Sequence, residues 1–142
     1  MRNTFRWLTS VLFVAIVVQV GLAGYGAFAA IHKAEGASVS KKTIEDGFNA
    51  HAALGSLIVL VMILLLIVAL AGGLGATSIR FSGILVGLGI VQLVLGIVST
   101  SVPVLGFLHT VNALAIYAVS ALLAHRAWTE HRKAGAAPAA AV

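Results

Sequence analysis

The stretch that decides the fold is FNAHAALGSLIVLVMILLLIVALAG, residues 48–72. It contains no Asp, Glu, Lys or Arg. At 1.5 Å per residue, a helix of this length crosses a hydrocarbon core of about 30 Å. Its apolar residues lack the strand-length alternation of a transmembrane barrel. The stretch therefore predicts a transmembrane helix, with one histidine, His51, close to its start.

Three further stretches are similarly long and apolar, at about residues 7–30, 81–100 and 105–127. Of all residues, 61% are hydrophobic and only 9% are charged. A soluble domain of this composition would expose large apolar patches and aggregate. We therefore predict an all-α fold: an integral membrane four-helix bundle, up-down-up-down, formed by residues 1–134. The Ala/Pro-rich tail, residues 135–142, is predicted to be disordered.

The basic residues predict the orientation in the membrane. One side holds Arg2, Arg6, Arg80, Arg126, Arg132 and Lys133, whereas the other holds Lys33, Lys41 and Lys42 beside Glu35, Glu45 and Asp46. Both termini are therefore expected in the cytoplasm of a bacterium, with the chain a multi-pass protein of the cytoplasmic (inner) membrane. The high pI of about 10.3 reflects this topology, and no nucleic-acid partner is expected.

An alternative interpretation of the first stretch is a secretory signal. Arg2 and Arg6 precede an apolar run that ends at Ala27-Phe28-Ala29, which resembles an A-x-A cleavage site. The apolar region of a secretory signal has roughly 7–15 residues, and this run is longer. We therefore interpret it as a transmembrane helix.

The polar segment 31–47 is expected to be an external loop. Its sequence Thr43-Ile44-Glu45-Asp46 resembles a capping box, which predicts that the second helix begins near Thr43. Glycines on the first and third helices predict close approach of helix backbones; they are Gly21, Gly24, Gly83, Gly87 and Gly96.

Two histidines are placed at the same depth. His51 lies about one turn after the external start of the second helix, and His109 lies about one turn after the external start of the fourth. Small residues four positions later, Gly55 and Ala113, face the same way and leave room beside each ring for the edge of a flat macrocycle. Asn112 lies about 60° from His109 around the helix, where it can orient the imidazole or meet a substituent of a bound macrocycle. Two imidazoles on facing helices are the arrangement that axial ligation of a haem requires.

The remaining histidines differ from this pair. His32, His125 and His131 lie at the aqueous edges, where a histidine is usually interfacial or solvated. Lys41 and Lys42 lie just outside the membrane, at a height that suits pairing with haem propionates. Histidines near helix ends often lie at the membrane interface. Taken alone, either His51 or His109 is better interpreted as such an interfacial residue. The matched pair favours metal ligation, because polar residues within spans are costly and usually functional.

Two glutamines, Gln19 and Gln92, lie near the middle of their spans and are expected to form interhelical hydrogen bonds. Cysteine is absent, which excludes disulfides, iron–sulfur clusters, thiolate zinc sites and a cysteine nucleophile. No catalytic residue is assigned.

These motifs resemble those of a known family. GIVQLVLGIVST at 89–100 and LHTVNA at 108–113 are similar to the third and fourth helices of one half of a haem A synthase, and HAALG at 51–55 is similar to the second. The resemblance implies that His51 and His109 are axial haem ligands. The chain also resembles small bacterial four-span proteins that carry the same two histidine motifs.

The resemblance covers about residues 48–125 and one half of the eight-helix synthase. Haem A synthases carry acidic residues on the first helix, where this chain has Gln19, and many have an external cysteine pair that is missing here. The sequence therefore supports the haem-binding scaffold and not the synthase reaction, and we expect no enzyme activity from the chain by itself.

The leading hypothesis is a b-type cytochrome of the membrane that binds one haem b per chain through His51 and His109. Its iron would be low-spin and suited to one-electron transfer, with quinol or a respiratory protein as partner. One alternative is a haem-handling or accessory subunit of a respiratory complex. Another is a structural or transport protein without a cofactor, although the spans lack the carboxylate that proton-coupled transport needs. A homo-oligomer is compatible with each hypothesis.

Overall fold

The computed structural model describes residues 1–33 and 39–136, with side chains up to residue 133. These residues form four α-helices: α1, Arg2–Lys33; α2, Lys41–Ala71; α3, Ala76–Val98; and α4, Val104–Ala136. The all-α, four-helix prediction is confirmed. Parts of the predicted loop and of the predicted tail, residues 34–38 and 137–142, lie outside the described residues.

All four helices are long and apolar enough to cross a membrane. Their outer surfaces carry large apolar side chains, among them Val14, Leu60, Ile97 and Leu114, each more than half exposed. In water such a surface would drive aggregation, whereas the hydrocarbon chains of a membrane solvate it without a free-energy cost. The chain is therefore described as a multi-pass membrane protein.

The helices pack in sequence order around the bundle. Helix α1 packs against α2 and α4, and α3 packs against the same two helices. Within the described part of the chain, α2 and α4 are consequently diagonal neighbours, which face each other across the bundle axis.

The buried centre of the bundle is apolar. Leu12 of α1, Met62 and Leu65 of α2, Leu85 of α3 and Ile116 of α4 are almost fully buried and belong to one cluster. This apolar layer separates the polar groups at one end of the bundle from those at the other.

The start of α2 lies close to the predicted Thr43. Ser40 caps the helix, since its backbone is extended and its Oγ accepts a hydrogen bond from the Thr43 backbone N–H at 3.1 Å. The helix begins at Lys41, two residues before Thr43, because Ser40 is its capping residue. The Thr43 hydroxyl lies 2.9 Å from the Ser40 hydroxyl.

Two glycines form the tight link between α2 and α3. Gly73 and Gly75 have φ angles of +56° and +84°, a backbone region that strongly favours glycine. The link between the two helices therefore needs only residues 72–75.

The glycines at close helix contacts are mostly not the ones predicted from the sequence. A Cβ on Gly26 of α1 would lie 2.8 Å from the Gly47 main-chain oxygen of α2, so the two backbones are in direct contact. A Cβ on Gly89 would lie 2.8 Å from Met62 Sδ. The prediction is wrong for four glycines that face open space instead: Gly21, Gly24, Gly83 and Gly87. Sequence spacing alone did not reveal which side of each helix is turned inward.

Aromatic residues join the region near the start of α1 to the region near the end of α4. The Trp7 and Trp128 rings are edge-to-face at 5.3 Å, and the Arg6 guanidinium lies 4.5 Å from the Trp128 ring centre. Trp128 Nε1–H donates a hydrogen bond to Ser10 Oγ at 2.8 Å. This cluster fixes α4 beside α1 far from the two inner histidines.

Candidate functional site

The five histidines fall into two classes by exposure. His32, His125 and His131 are exposed, whereas His51 and His109 are half-buried. The centres of the His51 and His109 rings are 6.3 Å apart, with ring planes inclined at 55°. The diagonal helices α2 and α4 thus bring these two imidazoles together; we call them the histidine pair.

On the α1/α2 side, His51 and Gln19 are joined by two hydrogen bonds. His51 Nδ1–H donates to the Gln19 main-chain oxygen at 3.0 Å, and Gln19 Nε2–H donates to the His51 main-chain oxygen at 2.8 Å. A carbonyl oxygen only accepts, so the His51 hydrogen must lie on Nδ1. In the neutral ring, Nε2 then carries the lone pair.

On the α3/α4 side, His109 and Gln92 are joined in a related way. His109 Nδ1–H donates to the Gln92 main-chain oxygen at 3.2 Å, which again leaves the lone pair on Nε2. The Gln92 side-chain amide, Nε2–H, donates to His109 Nε2 at 3.0 Å. Because an amide nitrogen cannot accept, this contact requires an unprotonated His109 Nε2.

Asn112 completes the network on this side. Its Nδ2 donates to Gln92 Oε1 at 2.7 Å and to the Leu88 main-chain oxygen at 3.0 Å. The sequence predicted that Asn112 orients the imidazole or meets a substituent of a bound macrocycle. Its hydrogen bonds instead hold the Gln92 amide, which in turn contacts His109.

Glycines make room for these groups on both sides. A Cβ on Gly55 would lie 2.9 Å from Gln19 Nε2, so Gly55 admits the glutamine side chain. A Cβ on Gly96 would lie 3.3 Å from His109 Cε1, so Gly96 admits the imidazole. Gly55 therefore adjoins the site through Gln19. Ala113 is half-buried on α4.

The predicted propionate partners lie farther away. Lys41 and Lys42 precede His51 by ten and nine residues on α2, which is roughly 15 Å along the helix. They form ion pairs with Glu45 at 3.6 Å and Asp46 at 3.4 Å, and their side chains are more than 80% exposed. The structure therefore does not bring these lysines to the histidine pair.

In residues 1–33 and 39–136, no three His, Cys, Asp or Glu side chains form a cluster that could hold a metal ion. The site offers two imidazoles, and a simple ion such as zinc is usually bound by three or four protein ligands. A metal that brings most of its own ligands is the kind that two imidazoles suffice to hold.

One cavity of about 300 Å³ lies elsewhere, at the opposite end of the bundle, where Arg2, Ser78 and His131 contribute to its walls. None of the residues that line it belongs to the histidine pair or its hydrogen-bond network. The cavity and the histidine pair are therefore separate features of the molecule.

The interhelical hydrogen bonds predicted for Gln19 and Gln92 are confirmed. Their partners were not predicted: Gln19 contacts His51 and Gln92 contacts His109. A signal was present: Val18-Gln19 and Val91-Gln92 share a dipeptide, and a Gly-Phe pair precedes each histidine, at 47–48 and 106–107. This pattern indicates that α1/α2 and α3/α4 carry the same glutamine–histidine pair.

No protein-family model matches the chain, and no curated protein or solved structure matches it. The resemblance to one half of a haem A synthase stays a prediction.

Proposed function

We propose that the protein binds one haem b between His51 and His109 and acts in one-electron transfer in a bacterial cytoplasmic membrane. The observation that carries the proposal is the 6.3 Å separation of the two ring centres across the bundle. When bound in this way, the haem would supply a low-spin iron that exchanges single electrons.

The ring separation suits two ligands of one metal. Metal–imidazole bonds are about 2 Å long and a ring centre lies about 1 Å behind its nitrogen, so two imidazoles with centres about 6 Å apart would both reach one metal between them. His51 and His109 have their centres at 6.3 Å. A porphyrin supplies four nitrogens itself, which is why two protein ligands are enough.

The hydrogen bonds also suit ligation through Nε2. In both histidines Nδ1–H donates to a glutamine main-chain oxygen, at 3.0 Å for His51 and 3.2 Å for His109. Such a bond fixes the ring orientation and raises the basicity of the other nitrogen, as it does in other metal-binding histidines. Each bond comes from the preceding helix, so the bundle itself orients the two ligands.

We also propose an up-down-up-down topology with cytoplasmic termini. Gly26 contacts Gly47 near one end of the α1/α2 pair, and Met1 lies beside Gly72 near the other, which supports an antiparallel pair. The basic residues near the termini support their cytoplasmic location. The histidine pair then lies towards the external face, where quinol or an external respiratory protein is a suitable partner.

A second function is favoured by one specific observation. The His109 ligand nitrogen already accepts a hydrogen bond from Gln92 at 3.0 Å, which lowers its availability to a metal. Weak, reversible haem binding of this kind is what a haem carrier or an accessory subunit for a respiratory complex would need. Transfer of haem to apomyoglobin within minutes would favour the carrier, whereas retention for days would favour electron transfer.

The ligand assignment is tested by substitution. His51→Ala and His109→Ala should each remove the Soret and reduced α bands of the purified protein, because each leaves the metal with one protein ligand. His125→Ala is the matched control, since His125 is exposed on the same helix as His109, and it should retain the spectrum. A His109→Ala protein with an unchanged spectrum would refute the assignment.

Added imidazole makes the test independent of folding defects. His109→Gly leaves a space where the ring was, and free imidazole at millimolar concentration should restore the low-spin spectrum. Failure of rescue in a variant that keeps its helical content by circular dichroism would count against axial ligation at this position.

A further inference from the structure

We propose that Gln92 blocks the ligand nitrogen of His109 in the haem-free protein, so that His51 and His109 are unequal ligands. The proposal rests on the proposed function, because it treats both Nε2 atoms as metal ligands. It assigns to Gln92, with Asn112, the role of a positioning residue that sets the affinity of the site.

The blocking hydrogen bond is the contact from Gln92 Nε2–H to His109 Nε2, at 3.0 Å. It uses the same lone pair that a metal would use. His109 can therefore bind a metal only after the Gln92 amide has turned away. The Gln92 main-chain oxygen still accepts from His109 Nδ1–H, so the ring keeps its orientation while Nε2 is released.

Asn112 strengthens the block. Its Nδ2 donates to Gln92 Oε1 at 2.7 Å, and this bond directs the opposite end of the amide, Nε2–H, at the imidazole. Asn112 is itself held by the Leu88 main-chain oxygen at 3.0 Å. The Gln92 side chain is thus fixed at both of its polar atoms, and turning it away breaks two hydrogen bonds.

The other histidine has no such block among the described residues. The Gln19 amide donates to the His51 main-chain oxygen at 2.8 Å and not to the ring. Gln19 Oε1 is buried and has no hydrogen-bond donor in the described part of the chain. His51 Nε2 is therefore available at once, and we expect His51 to bind first and His109 to be released first.

Haem titration of three variants tests the proposal. Gln92→Leu removes the blocking hydrogen bond and keeps the main-chain acceptor, so the dissociation constant should fall about three- to tenfold. Asn112→Ala frees the Gln92 amide to turn and should change the constant in the same direction but less. Gln19→Leu removes the matching amide on the other hairpin, which contacts main chain and no ring nitrogen, so it should not lower the dissociation constant.

A second measurement uses the haem-free protein. Nitrogen NMR of ¹⁵N-labelled histidine reports the hydrogen bonding of each Nε2. In Gln92→Leu the Nε2 resonance of His109 should move while that of His51 stays, and in Gln19→Leu both should stay. This readout is independent of any activity and of any bound haem.

The outcomes separate the two proposals. Equal or weaker haem binding in a folded Gln92→Leu protein would overturn the blocking role, and so would tighter binding in Gln19→Leu of the same size. If the wild-type protein binds no haem, the proposed function fails and the nitrogen resonance decides alone. A shift of His109 Nε2 in Gln92→Leu then supports the blocking contact, and no shift overturns it.

Discussion

The two helical hairpins, α1/α2 and α3/α4, orient their histidines with related but different hydrogen bonds. In each, a glutamine on the first helix offers its main-chain oxygen to the Nδ1–H of a histidine on the second: Gln19 to His51, and Gln92 to His109. The side-chain amides differ, because Gln19 contacts main chain whereas Gln92 contacts the imidazole. The main-chain bond therefore fixes the ring in both hairpins, and the side chain distinguishes them.

The hairpins also differ in how closely their helices approach. Gly26 and Gly47 put backbone against backbone between α1 and α2, while Gly96 puts backbone against the His109 ring between α3 and α4. A rigid neighbour cannot move aside, whereas a ring can shift by a few tenths of an ångström. The α1/α2 hairpin should therefore tolerate added atoms less well.

The largest expected effect on stability comes from Gly26→Ala. Its Cβ would lie 2.8 Å from a main-chain oxygen of α2, so the helices must separate, at a cost of about 1–3 kcal/mol in the free energy of unfolding. Unfolding by SDS titration, followed by circular dichroism, measures it.

Gly21→Ala is the control for Gly26→Ala, because its Cβ would enter open space on the same helix. It should leave stability within about 0.5 kcal/mol of the wild type. Equal effects of the two substitutions would contradict the close packing of α1 on α2.

The two glutamines should differ in their contribution to stability. Gln92→Leu removes the bond to His109 and leaves Asn112 with one acceptor, so it should cost about 1–2 kcal/mol. Gln19→Leu removes one hydrogen bond but also an unpaired buried oxygen, so it should cost about 0.6 kcal/mol or less. Both are measured by SDS unfolding of the haem-free protein. The reverse order would show that the hairpins are not distinguished as described.

The four helices and the pairing of the two inner histidines could be predicted from the sequence, for clear physical reasons. Apolar stretches of membrane length are a strong signal, and His51 and His109 are rare polar residues inside them. The partners of the glutamines could not be predicted, because the direction of Gln19 or Gln92 depends on helix rotation. The rotation of each helix about its axis also determines which glycines face a neighbouring helix. The helical period of 3.6 residues does not determine that rotation.

The smallest effect is expected at the start of α2. Lys41 and Lys42 form exposed ion pairs with Glu45 and Asp46, which contribute about 0.3–0.5 kcal/mol each. Lys41→Ala and Lys42→Ala should therefore change neither the unfolding free energy nor the haem affinity appreciably. Titration of the double variant checks this, and a large loss of haem affinity would instead support the propionate contact predicted from the sequence.

The most direct test of the central claim is a reduced-minus-oxidised absorption spectrum of the wild-type protein, expressed with ample haem, with haem quantified per chain. We expect a sharp Soret band, a reduced α band typical of a low-spin b haem, and one haem per chain. A colourless protein that retains its helical content would contradict the claim that His51 and His109 form a haem site.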